Sequence, residues 1–266
     1  MIGNPAYPTY QVFLAVFVSA AITCLLMPPF IRLMKHEHLG QQVRADGPQR
    51  HLIKQGTPTM GGVVILLGIV LTCVLLAKWT PDLVLALVAM LVTGSLGLVA
   101  VNVIGISPEL RFPGGLVLDL GVLSSTLTIG SVTFTVPWIY LVFVFFLMAG
   151  LSNAVNLTDG LDGLAGGCTM VVMLVMAMVA FRYQEINLAI FAASIAGACV
   201  GFLWHNCYPA TIFMGDTGSL ALGAAFAALA ILTKTEVTSL IMGGLFIAEA
   251  VSVIIQVVSF KATGKR

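Results

Sequence analysis

The chain reads as an all-α polytopic membrane protein, a bundle of transmembrane helices carrying one small periplasmic β-hairpin. Three observations predict this: 59% of its 266 residues are hydrophobic, only 9% are charged, and the mean hydropathy is +1.06. So little polar surface cannot clothe a water-soluble globule. The apolar blocks are separated by short polar loops and lack an alternating aromatic-girdle pattern, which favours helices over a transmembrane barrel. A net charge of +1 says little about partners, and nothing supports nucleic-acid binding. Cys24, Cys73, Cys168, Cys199 and Cys207 sit mostly inside apolar runs without paired metal spacing, as small core hydrophobes do.

Taken in order, residues 10–31 are long enough to cross a hydrocarbon core, which needs about 20 helical residues, and Pro28-Pro29 should bend or end that helix. This stretch lacks a basic leader and a small-residue cleavage site, so it reads as a retained span. The longest hydrophilic segment follows, with Arg32, Lys35, Arg44, Arg50 and Lys54, and the positive-inside rule makes it cytoplasmic. Residues 60–77 form a second span, with Trp79 and Pro81 at the far interface; a third runs over 83–106. Within 116–136 two alternating runs flank Gly130-Ser131, the pattern of a two-residue type II′ hairpin. Five further apolar segments occupy 136–153, 165–181, 187–204, 218–233 and 237–258, ahead of a basic tail, for about 8–9 spans in one membrane domain.

The crossing count does not close. Basic regions should share one face, yet three spans separate the loop at 32–59 from Asn153. Residues 83–106 are too few for two crossings, so either the orientation rule fails here or a segment near 97–102 is missing.

The chemistry concentrates in N153-A-V-N-L-T-D-G-L-D-G-L164 and in F213-M-G-D-T-G-S219. Ionisable groups at bilayer depth cost several kcal/mol unless they face water, an ion or a partner. A helix opening at the first segment would set Asp159 and Asp162 on one face of its first turn, beside free N–H groups that attract phosphate. Asp216 offers a third carboxylate among glycines. Oxygen donors without paired His or Cys argue for Mg²⁺ or Mn²⁺ over zinc, and such an ion with Lys54 would suit a diphosphate. Bland readings stand beside this: Asp159 as an N-cap, Asp162 as a solvated first-turn residue, His205 and Asn206 as interfacial anchors, and Glu249 with Gln256 as interhelical hydrogen-bonders.

Four stretches together, TPTMGG (57–62), NAVNLTDGLDGLA (153–165), FMGDTGSLALG (213–223) and SFKATGKR (259–266), resemble the phospho-N-acetylmuramoyl-pentapeptide transferase family. That family lies within the polyprenyl-phosphate N-acetylhexosamine-1-phosphate transferase superfamily, and the similarity runs over most of the chain. The resemblance implies ten spans and a Mg²⁺-dependent reaction in the bacterial inner membrane. There undecaprenyl phosphate attacks UDP-N-acetylmuramoyl-pentapeptide on the cytoplasmic side, giving lipid I of peptidoglycan synthesis and UMP. It implies catalytic roles for Asp159, Asp162, Asp216 and Lys54, with Asp216 the magnesium ligand. Gly160, Leu161, Asp162, Asn206 and Phe213 fall where the family holds uridine, Phe213 by stacking. Thr59, Asn153, Asn156 and Ser219, with Lys54, match polar positions of the same cleft. A homodimer is left open.

Two departures stand out. The family's adjacent aspartate pair followed by lysine is absent, since no Asp-Asp dipeptide occurs here, and the histidine-rich loop and tenth span expected after Arg266 are absent too. Both fit a sequence that covers part of a longer protein. Two other functions compete: a sister transferase using another UDP-N-acetylhexosamine, and an ion-coupled transporter built on Glu249 and the acidic loops.

Overall fold

The computed structural model describes residues 9–36, 57–58, 60–91, 101–102, 105–129 and 132–264. Helices dominate: α1 (Thr9–His36), α2 (Gly62–Leu76), α3 (Pro81–Leu91), α4 (Trp138–Thr158), α5 (Leu164–Arg182), α6 (Ile186–Asn206), α7 (Gly215–Leu232), α8 (Glu236–Met242) and α9 (Gly244–Thr263). Among the described residues six of these, α1, α4, α5, α6, α7 and α9, are long and apolar enough to cross a bilayer. The chain is therefore a polytopic membrane protein, since a helix satisfies its own backbone polar groups where no water can. Four short strands form two antiparallel pairs, β1 (Glu109–Arg111) with β2 (Val117–Asp119) and β3 (Ser124–Ile129) with β4 (Val132–Pro137).

The chain divides into two compact units. The first comprises residues 1–78 and 159–219. At its centre lies α6, the most buried of the six spans, packed against α1, α2 and α5. Small residues let the backbones approach. Gly197 and Gly201, four apart on one face of α6, lie against the main chain of α1: a Cβ on Gly197 would run into the Val16 carbonyl oxygen, and one on Gly201 would stand 2.5 Å from that of Ala20. This is small-xxx-small packing, which replaces the hydrophobic driving force that lipid cannot supply. Of the two outcomes expected at Pro28-Pro29, a bend or an end, the structure excludes the end: α1 continues to His36. Proline removes a donor from the helical ladder, and in this long apolar helix the neighbouring turns carry the chain past it.

The second unit comprises residues 79–158 and 220–266, with α4 packed on α9. The α4 and α7 backbones touch where Gly223 faces Ser152, whose hydroxyl donates to the Leu220 carbonyl at 2.8 Å. The hairpin read around Gly130-Ser131 is present: Ile129 pairs with Val132, which fixes a two-residue loop, though the turn type lies outside the described residues. The β1–β2 hairpin escaped the sequence reading. Its signal was Pro113-Gly114-Gly115, where both glycines take positive φ, 99° and 89°.

Two span boundaries also shift. No helix reaches 106 in the third predicted span; Gly105 sits at φ 78°, and the missing segment expected near 97–102 falls mostly outside the described residues. The predicted span 237–258 breaks at Gly243 into α8 and α9. Gln256 does not reach another helix, because its amide donates to Ser252 in α9 itself.

Beyond the end of α7 a charged cluster is buried. Lys234 donates to Glu236 (3.0 Å), to the Ser107 carbonyl (2.8 Å) and to the Tyr140 hydroxyl (3.3 Å), and its ammonium stands 4.9 Å from the Tyr140 ring centroid. Glu236 and Tyr140 are fully buried. Burial pushes the Glu236 carboxyl above, and the Lys234 ammonium below, its ordinary pKa, each opposed by the other's charge. The cluster ties the α7–α8 turn to α4 and to the segment before β1. Removing one partner strands a buried charge, so Lys234→Met should cost about 3–5 kcal/mol. Thermal unfolding in detergent micelles will show it, and the paired Lys234→Met/Glu236→Leu variant should recover much of the loss.

Candidate functional site

Three of the motif segments meet within the first unit. Pro58, Gly61 and Gly62 run beside 213–214 as a short backbone bridge: Phe213 N–H donates to the Pro58 carbonyl, Gly61 N–H to that of Phe213, and Gly62 N–H to that of Met214, each at 2.9 Å. Both backbone groups of Phe213 are thereby fixed, which pins the half-buried ring in place. Glycine makes the approach feasible. A Cβ on Gly62 would collide with the Gly218 backbone, and Gly215 takes φ 72° against Met60, itself at φ 68°. Met-Gly-Gly and Gly-Asp-Thr-Gly are thus two halves of one contact.

The acidic segment joins through Asn206, the last residue of α6 and almost fully buried. Its side-chain oxygen accepts from Gly163 N–H and its amide donates to the Ile212 carbonyl, both at 2.9 Å. Asp162 Oδ2 accepts from Ala210 N–H at 3.1 Å, and the His205 carbonyl accepts both the backbone and hydroxyl of Thr211 at 2.8 Å. One buried amide and one carboxylate therefore staple residues 159–163 to residues 206–212.

This corrects two sequence readings. The helix does not open at Asp159: α4 ends at Thr158, residues 159–163 are a turn, and α5 starts at Leu164 with Gly163 as N-cap at φ 78°. Asp159 is therefore no N-cap and Asp162 no first-turn residue, because the left-handed turn needs a glycine where a capping side chain would sit. Nor is Asn206 an interfacial anchor. Trp204, two residues before it, is 81% exposed.

The remaining candidates fall as follows. Asp159 and Asp162 are half-buried, Gly160 and Leu161 are exposed on the turn, and Asp216 is exposed in the first turn of α7. Ser219 is buried with its hydroxyl on the Gly215 carbonyl at 3.2 Å. Asn153 and Asn156 belong to the last turns of α4, in the second unit; Asn153 is exposed and donates to the Ala149 carbonyl at 2.8 Å. Lys54 and Thr59 lie outside the described residues.

Among the described residues no three His, Cys, Asp or Glu side chains stand together as a metal-holding group, so a cage of three aspartates is not formed. The donors suit a hard cation nonetheless. Magnesium commonly takes one or two carboxylates and completes its shell with water and phosphate oxygens. Asp216 is exposed in the first turn of α7, and a helix start is a place where phosphate is favoured. The supporting positions the sequence reading passed over are Gly61, Gly62 and Gly218. The signal for them was glycine doubling in two motifs far apart in the chain.

Residues 104–234 match the family Glycosyl transferase family 4, and residues 54–66 match the Phospho-N-acetylmuramoyl-pentapeptide-transferase signature 1. Similar chains include the phospho-N-acetylmuramoyl-pentapeptide-transferase of Shouchella clausii, 42% identical over 94% of this chain and 82% of the relative. That of Moorella thermoacetica is 41% identical over 94% and 84%, and that of Bacillus subtilis 37% over 96% and 85%.

Removing the Asn206 staple should loosen the loop without unfolding the bundle. Asn206→Ala leaves Gly163 N–H and the Ile212 carbonyl unpaired, a cost of about 1–3 kcal/mol. Hydrogen exchange should then quicken in residues 207–213 while α6 stays protected.

Proposed function

We infer the reaction of this chain from its family: it belongs to the phospho-N-acetylmuramoyl-pentapeptide transferases. It transfers phospho-N-acetylmuramoyl-pentapeptide from its UDP donor to undecaprenyl phosphate, forming lipid I and releasing UMP. The observation that carries this at the level of the molecule is the joining of residues 57–62, 159–163 and 206–219 into one place by Asn206, Asp162 and the Gly62–Gly218 contact. A lipid phosphate oxygen attacks the β-phosphorus of the donor. That forms the new P–O bond, and the bond from the β-phosphorus to the bridging oxygen breaks, with the electron pair leaving on UMP.

The residues divide this work. Phe213, pinned through its backbone, offers its ring to uracil, and the exposed turn at Gly160 and Leu161, with Asp162 and Asn206 behind it, supports the uridine. Asp216 would hold Mg²⁺, and Asp159 and Asp162 are the acidic residues of the adjoining nucleotide turn. The metal, when bound, neutralises charge on the diphosphate as it cleaves. By the resemblance to the family, Lys54, Thr59, Asn153, Asn156 and Ser219 are the further polar residues that bind substrate. The site faces the cytoplasm and the hairpins the periplasm of a bacterial inner membrane, and the second substrate arrives from the bilayer. Assembly as a homodimer accords with the same reading.

Asp216→Asn removes ligand charge at nearly constant volume and should abolish magnesium-dependent UMP release while the unfolding temperature stays within a few degrees. Full turnover in that variant would refute the assignment. Donor competition in micelles separates the sister enzymes, because turnover of UDP-N-acetylglucosamine alone would exclude the muramoyl-pentapeptide donor. Cation flux across sealed vesicles without UMP release would favour a transporter.

A further inference from the structure

The end of α4 away from the Asp159 turn carries both hairpins, and their surface is apolar without being covered. Leu116, Val117 and Leu118 on and beside β2, Val122 and Leu123 in the connection, and Leu127 on β3 are all at least half exposed; Val122 reaches 81%. Between residues 116 and 137 the one charged side chain is Asp119, and its carboxylate accepts from Gly121 N–H at 2.7 Å. A water-facing hairpin of this composition is an aggregation hazard.

The β3–β4 hairpin is also two-faced. Leu127 lies opposite Phe134 and Ser125 opposite Val136, whereas Thr126 lies opposite Thr135 and Thr128 opposite Thr133. Alternation sends the first set to one face and the threonines to the other, and the Thr128 and Thr133 hydroxyls meet at 3.4 Å.

Two observations say what covers this surface. The hairpin is continuous with a membrane span: β4 ends at Pro137 and α4 begins at Trp138, whose N–H donates to the Leu123 carbonyl and whose indole donates to Ser125. Trp138 is itself half exposed at a helix start, where tryptophan marks the headgroup level. The middle of the free edge of β4 is occupied as well. Asn102 donates to the Thr135 carbonyl (2.8 Å) and accepts from its N–H (2.6 Å), filling the positions a partner's added strand would use.

We propose that the hairpins are a membrane-surface device: residues 116–118, 122–123 and Leu127 rest in the lipid leaflet at the end of α4 opposite the Asp159 turn, with the threonine face toward water. The partner is the lipid surface and not a protein.

Val122→Cys and Thr128→Cys, each in a Cys207→Ser background and labelled with an environment-sensitive fluorophore, test this in nanodiscs of phosphatidylethanolamine and phosphatidylglycerol. Doxyl lipid should quench the label at 122 several-fold more than aqueous iodide does, and the order should reverse at 128. Iodide quenching at 122 without doxyl quenching would overturn the proposal, and so would protection from both quenchers, the mark of a protein contact. Leu123→Cys gives the same reading should the Val122 variant not fold.

Discussion

The contact between Gly62 and Gly218 is the constraint on which the candidate site depends. Two polypeptide backbones touch there with no side chain between them, and any Cβ on either residue would hold them apart. Because they touch, Pro58, Gly61 and Gly62 run in register with 213–214, both backbone groups of Phe213 are consumed, and α7 starts where Asp216 is exposed. The Asn206 amide then carries that arrangement across to the acidic turn. A membrane protein has little hydrophobic gain with which to hold polar loops in place. Here backbone pairing and one buried amide do so.

Most of the fold was legible because the hydrophobic pattern in a bilayer protein is nearly binary. All six membrane-length helices lie on segments that the apolar runs mark, and the Gly130-Ser131 hairpin was visible through alternation and its glycine. What could not be read were the endings. Pro28-Pro29 left open whether the helix bends or ends, and the break at Gly243 carries no signal beyond a Gly-Gly pair in an apolar run. The β1–β2 hairpin is short enough that three residues per strand leave no period to detect.

At the site, the local geometry around Asp159 and Asp162 differs from the one the sequence suggested. Asp-Gly-Leu-Asp-Gly reads equally well as a helix start or as a turn, and only the left-handed Gly163 decides between them. The part played by Asn206 was hidden for a different reason: its two partners lie 43 residues before it and six after, a relation spacing alone does not reveal. Resemblance to a family singled out Asn206 for uridine; what the structure shows is its part as a staple between two loops.

The proline pair in α1 has a mechanical meaning. Neither Pro28 nor Pro29 can donate to the carbonyls one turn earlier, at Cys24 and Leu25, so the ladder is thinnest there. Ahead of it lies the stretch around Val16 and Ala20, clamped to α6 through Gly197 and Gly201; beyond it lies the basic end at Lys35 and His36. A rod that is stiff in one half and compliant at one point pivots at that point. A bend at that point would shift the basic end and leave the glycine seam in register.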